Sequence, residues 1–158
     1  MLILENDSLS LMALPMVVKQ AGTVVLSNLR DSIEEHRWQI ELVKPRVVFI
    51  ETRLFDAYYD LLRSQGCQIV VMDPRDRLNE GVLSFWDLVG AASDADGDIE
   101  LDTDTHIFMM RFTGGTTGRG KCAMYSIDNF LGSCAIRRWS STSEQNASML
   151  RPCPMVRN

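Results

Sequence analysis

Short apolar runs alternate along this chain with longer amphipathic stretches. Leu2–Leu4, Thr23–Leu26, Val47–Ile50 and Gln68–Met72 are brief runs rich in branched residues, which predicts buried strands. Between them the pattern changes to a helical one. Leu9 to Gln20 is apolar-rich behind Ser8, with Pro15 to kink or split it and Ala21-Gly22 to end it. Ser32-Ile-Glu-Glu is a capping box with Glu35 at the third helical position. Ile33 to Val43 is therefore expected as a helix that stops at Lys44-Pro45. Arg53 to Gln65 places Leu54, Tyr58, Leu61 and Leu62 on one face, and Gly66 stops it.

The second half is more polar. Asp73 to Asn79 is turn-like, and Ser84 caps a short helix to Ala92 with Asp87 three residues on. Ser93 to Asp104 reads as an acidic linker. Thr105–Phe112 and Lys121–Tyr125 read as strands around a glycine-rich loop. Ser126 caps a helix Ile127–Arg138, and Trp139 to Ser148 is polar and irregular. Strands alternating with helices of this length predict an α/β fold, a layered, mainly parallel sheet with flanking helices. Three parts are expected in one partial domain: an α/β part (1–92), the linker (93–104) and a phosphate-loop part (105–158).

The 158 residues are enough for one buried core, and 46% apolar with 23% charged residues is a globular balance. No apolar stretch approaches the roughly 20 residues of a membrane helix, and the start lacks a signal-peptide pattern, so a cytoplasmic protein is expected. Residues 1–110 hold 9 basic and 19 acidic residues, against 7 and 2 in 111–158. The net charge of −5 argues against a nucleic-acid partner, while the basic end coincides with the glycine-rich loop. Cys67, Cys122, Cys134 and Cys153 form no CxxC pair and the only histidines are His36 and His106, so free thiols and no metal site are expected. The aspartates at 94, 96, 98, 102 and 104 lack the glycine and glutamate of a calcium loop at its spacing. His106 is expected as a hydrogen-bonded structural residue, and Phe55, Tyr58, Tyr59, Trp86 and Trp139 as packing.

The stretch from Met110 to Ser126 carries the chemistry. Gly114, Gly115, Gly118 and Gly120 let the backbone turn and bare its amides, which can line an anion site. Thr113, Thr116 and Thr117 add hydroxyls, and Lys121 adds a cation, with Arg119 as a second. Hydrogen bonds to charged groups contribute about 1.5–3 kcal/mol each, so several together can hold a polyphosphate. Two loop types compete. Gly115 to Lys121 nearly satisfies the Walker pattern GxxxxGK[ST], but Cys122 stands where a magnesium-binding hydroxyl belongs. A Walker loop also opens directly into a helix, whereas Lys-Cys-Ala-Met-Tyr reads as extended.

Phe112 to Lys121 resembles the signature of the adenylate-forming (AMP-binding) superfamily, commonly Tyr-Thr-Ser-Gly-Thr-Thr-Gly-x-Pro-Lys-Gly. Thr113, Gly115, Thr116, Thr117, Gly118 and Lys121 stand where that motif requires them. Gly114 replaces its serine, a variant similar to that of many fatty-acyl ligases. Gly120 replaces its proline, which is expected to cost rigidity rather than chemistry, and Cys122 its glycine. The continuation Ala123 to Phe130 is similar to the family's Val-Met-Leu-Ser-His-Arg-Asn-Leu. Likeness extends to Leu4–Leu9, Lys19–Val25, Lys44–Ile50, Leu83–Leu88 and Leu150–Arg157, with Arg157 near a usual histidine. It covers nearly the whole chain.

The resemblance implies a piece of the large N-terminal domain of an acyl-CoA synthetase-like ligase. It implies attack of a carboxylate on ATP to give an acyl-adenylate, then transfer to coenzyme A, with Mg2+ as cofactor. Thr113, Gly114, Gly115, Thr116, Thr117, Gly118 and Lys121 are then the ATP phosphate-binding residues. The family's adenine, ribose and catalytic-lysine segments do not follow Asn158, so the chain alone is expected to be inactive and, with strand edges exposed, prone to self-association. A Walker-type nucleotide module and a non-catalytic remnant domain are the alternatives.

Overall fold

The computed structural model describes residues 1–5, 16–73, 78–93, 99–113 and 120–142, the last six without their side chains. Seven strands form one sheet: β1 (Leu2–Ile3), β2 (Val24–Leu26), β3 (Val47–Ile50), β4 (Gln68–Val71), β5 (Val82–Ser84), β6 (Ile107–Phe112) and β7 (Cys122–Ser126). Their order is β5-β4-β3-β1-β2-β6-β7. All pairings are parallel except β6 with β7, which is antiparallel.

Among the described residues the helices are α1 (Ile33–Val43), α2 (Phe55–Ser64), α3 (Phe85–Ala91) and α4 (Ile127–Thr142), and residues 16–19 are also helical. The predicted caps form. The hydroxyls of Ser32, Ser84 and Ser126 accept from the backbone N–H three residues on, at 3.2, 3.4 and 3.2 Å. Lys44 closes α1 in the left-handed region (φ 46°), its N–H donating to the Ile40 carbonyl. Gly66, at φ +69°, turns the chain beyond α2.

Several boundaries differ from the sequence expectation. A 3-10 turn, Thr52–Leu54, precedes α2, so the α-helix begins at Phe55 rather than Arg53. The helix α4 runs to Thr142, through part of the stretch expected to be irregular. The edge strand β5 was not expected at all, because three residues are too few to show a period.

The strand order explains the burial pattern. β1 lies between β2 and β3, so the chain steps one way from β1 to β2 and back the other way to β3. Elements connecting in opposite directions lie on opposite faces of such a sheet. One face packs Ile3, Val25, Val48, Ile50, Ile69 and Val71 against α1 and α2. The other packs Leu2, Leu4, Val24, Phe49, Val70 and Met72 against Val17, Val18, Phe85 and Ile127. Strands buried on both faces need unbroken apolar runs, as the sequence supplies.

Candidate functional site

The carboxyl ends of the parallel strands are where an open α/β sheet binds ligands. β6 runs parallel to β2 and ends at that edge, with Leu26 opposite Arg111. The two ends of the connection from β6 to β7, Thr113 and Gly120, therefore lie at the carboxyl edge. Beyond it the chain returns as a strand, with Phe112 opposite Cys122, and a helix begins only at Ile127. A Walker loop must feed a helix at its lysine, so that alternative falls on geometry.

Of the predicted site residues, the structure brings Thr113 and Lys121 together. Thr113 N–H donates to the Lys121 carbonyl at 2.9 Å. Lys121 N–H donates to Thr113 Oγ1 at 3.1 Å, and that hydroxyl donates to the Lys121 carbonyl at 3.3 Å. The Lys121 side chain is exposed. Gly114, Gly115, Thr116, Thr117 and Gly118 lie outside the described residues, as does Arg119. Gly120 has a role the sequence did not show. A Cβ there would lie 2.1 Å from the Thr113 carbonyl oxygen, so any other residue, the motif's proline included, requires the backbone here to shift.

Two features support this edge from below, and the sequence singled out neither. Trp38 of α1 meets Phe112 edge-on, ring centroids 5.6 Å apart. The segment after β2 is pinned by buried polar side chains. Ser27 donates to Gln39 Oε1 at 2.5 Å, and Gln39 donates to Asp31 at 2.9 Å. His36, fully buried, holds the Asn28 carbonyl at 3.0 Å and the Tyr58 hydroxyl at 2.5 Å. A carbonyl can only accept, so Nε2 carries the proton. Burial lowers the His36 pKa below its ordinary value, keeping the ring neutral, and Nδ1 then accepts from Tyr58. Burial likewise raises the Tyr58 phenol.

Cys122, half-buried beside the connection, has its thiol pushed up by burial, which makes it a poor nucleophile. Cys67, Cys122 and Cys134 are free thiols. At the opposite end of β6, His106 Nε2 is buried without a hydrogen-bond partner, contrary to expectation, although its backbone N–H donates to the Asp102 carbonyl at 2.9 Å. Asp102 ties a local turn through Asp104 and Thr105. Asp94, Asp96 and Asp98 are outside the described residues, as are Cys153, Arg157 and the Trp139 side chain. Among the aromatics expected as packing, Phe55 meets Tyr59 edge-on and Tyr58 is buried, while Trp86 is about half exposed against Phe85. Among the described residues no group of three or more His, Cys, Asp or Glu could hold a metal ion. None of the described helices is long and apolar enough to cross a membrane.

The profile of the AMP-binding enzyme family matches residues 2–156. The chain belongs to that family. Among solved structures, this AMP-binding chain is similar to ATP-bound MatB from Rhodopseudomonas palustris, with 24% identity and a TM-score of 0.75 over 89% of this chain and 27% of that one. It is similar to the anthranilate CoA ligase AuaEII in complex with anthranoyl-AMP, with 17% identity and a TM-score of 0.75 over 89% and 27%. It is also similar to the luciferase-like enzyme of the mealworm Zophobas morio, with 20% identity and a TM-score of 0.66 over 87% and 32%. The chain thus spans 27% of the length of its MatB neighbour. No curated protein sequence matches it.

Proposed function

We propose that this chain is the ATP phosphate-binding part of a carboxylic acid–CoA ligase. The observation that carries the reading is the connection from Thr113 to Lys121. It joins two antiparallel strands at the carboxyl edge of a parallel sheet, in a chain of the AMP-binding family. The loop's amides and hydroxyls, with the Lys121 ammonium, hold the β- and γ-phosphates of ATP. They offset the charge that develops on pyrophosphate as a carboxylate attacks the α-phosphorus. The resulting acyl-adenylate then passes its acyl group to the thiol of coenzyme A, releasing AMP. The ATP and the acyl-adenylate seen in the MatB and AuaEII structures are the ligands this chemistry requires. Glycine at position 114 favours a fatty acid as the carboxylate. The free thiols suit a reducing cytoplasm.

The test is Lys121→Ala in the protein that joins this segment to the remaining family segments. ATP–pyrophosphate exchange should slow at least about 100-fold, as for a lost charged donor at a developing negative charge. Thioester formation from preformed acyl-adenylate should stay near the parent rate. Equal slowing of both half-reactions would overturn the phosphate role. Absence of exchange in the parent protein with every acid tried would favour the non-catalytic remnant.

A further inference from the structure

We propose that the buried His36 imidazole is an acid-sensitive latch. Neutral, it ties the 27–31 turn at the carboxyl edge to α2; on taking up a proton it lets that turn open while the sheet stays folded. The inference stands on the side-chain cluster itself and not on what the neighbouring edge binds.

Leu26 lies opposite Arg111, so Ser27 leaves β2 beside Phe112, the last residue of β6. The chain then bends. The Asn28 carbonyl accepts from the Asp31 N–H at 2.9 Å, and the Asn28 side chain accepts from the Arg30 N–H at 3.1 Å. The anchor of this turn is α1. His36 and Gln39 are three residues apart and share one face of the helix. Gln39 accepts from Ser27 and donates to Asp31, while His36 donates to the Asn28 carbonyl and accepts from the Tyr58 hydroxyl on α2.

The ring is the member of this cluster that can change state near neutral pH. In the neutral form both its nitrogens are used, one as donor and one as acceptor. A proton added at Nδ1 turns the acceptor into a donor. Tyr58 must then turn its hydroxyl round, and its own proton loses its partner. The charge created is also fully buried. The titratable groups that face the ring are Tyr58 from α2, Asp31 from the turn and Glu35 from α1 itself. Burial outweighs the pull of the two carboxylates and holds the ring below its ordinary value. The ring's own hydrogen bonds go to Tyr58 and Asn28, not to either carboxylate. Water is the remaining way to accommodate the charge. On one side of the ring Tyr58 is buried; on the other the turn and the helix start carry exposed residues at 28, 30 and 32. Opening the turn disturbs the least packing.

NMR of the 158-residue chain between pH 8 and 5 tests the latch, and with two histidines in the sequence the ring signals are simple to assign. At pH 8 the His36 ring should carry its proton on Nε2. As the ring titrates, the protection factor of the Asp31 amide should fall at least about tenfold, while the β3–β4 ladder stays within about threefold. Tyr58→Phe removes the donor that favours the neutral ring and should move both midpoints up by about one pH unit. His36→Gln cannot titrate and should abolish the acid step at Asp31. The Met1 amine also takes up a proton in this range, but it sits on the Val47 carbonyl at the amino end of β3, so its effect falls on other amides. Should His36→Gln lose its ladder protection, coincidence of the ring and Asp31 midpoints in the parent decides instead. A proton on Nδ1 at pH 8, an acid step that survives in His36→Gln, separate midpoints in the parent, or simultaneous loss of turn and ladder would each overturn the latch.

Discussion

Leu62 on α2 and Ile136 on α4 are both aliphatic helix residues, yet Leu62 has no exposed surface and Ile136 is 68% exposed. The same contrast holds for their surroundings. Around Leu62, both faces of β1, β3 and β4 are covered and a buried polar network ties α1 to α2. On the same helix and the neighbouring strand, Leu131 and Met124 are also exposed, and Phe130, partly exposed, meets Phe108 edge-on. The two strands that flank the proposed phosphate loop belong one to each region. β6 is held by the buried centre and β7 lies at the exposed margin. The proposed site is thus flanked on one side by a strand of the buried centre and on the other by a strand at the sheet's margin. That arrangement suits a segment that must admit and release a ligand.

The contrast is sharpest in core truncation. Leu62→Ala should cost about 2–5 kcal/mol in chemical denaturation, by lost burial plus a cavity. A loss near that of an exposed site would break the comparison.

Acidity probes the same centre without changing a residue. The Met1 amino group donates to the Val47 carbonyl at 2.7 Å, and burial lowers its pKa from 8.0 to about 5. His36 is lowered in the same direction by burial. Both groups take up protons more readily unfolded than folded, so stability should fall as pH drops from 8 through 6.5 towards 5. Each unit of displacement corresponds to about 1.4 kcal/mol. Tyr58 is raised, so stability should fall again above pH 10. Melting temperatures between pH 5 and 11 check both limbs, and a flat acid limb would show that the centre is open to water.

Tyr58→Phe leaves His36 Nδ1 buried without its donor. It should cost about 1–3 kcal/mol and should also raise the exchange rate of the 27–31 segment. A neutral result would detach the polar network from the edge it supports.

The smallest effect belongs to the margin. Ile136→Ser should change stability by no more than about 0.5 kcal/mol. It would also remove part of the exposed apolar surface of the margin. A loss of 2 kcal/mol or more, on the order of a core truncation, would show that α4 is packed in solution.

Much of this was legible in residue order. Val47–Ile50 and Gln68–Met72 had to be strands buried on both faces, because no other short element hides a continuous apolar run. The serines at 32, 84 and 126 marked helix starts because a hydroxyl before a helical run satisfies amides that nothing else can reach. The glycine-threonine spacing from Thr113 to Lys121 pointed to the family without coordinates, since backbone freedom and hydroxyl supply are properties of residue type. Other features required the chain to meet itself at a distance. That β5 pairs with β4 follows from an edge being available, not from three residues of pattern. The His36–Tyr58 and Trp38–Phe112 contacts join residues 22 and 74 positions apart, and no local period encodes such a meeting. The direction of β7 set aside the Walker pattern, and the closeness of Gly120 to Thr113 added a steric contact to an expected loss of stiffness. Residue order fixed which groups could bend, donate or hide, because those capacities are local. Which of them finished face to face was left to the packing, because distance across a fold is set by every element at once.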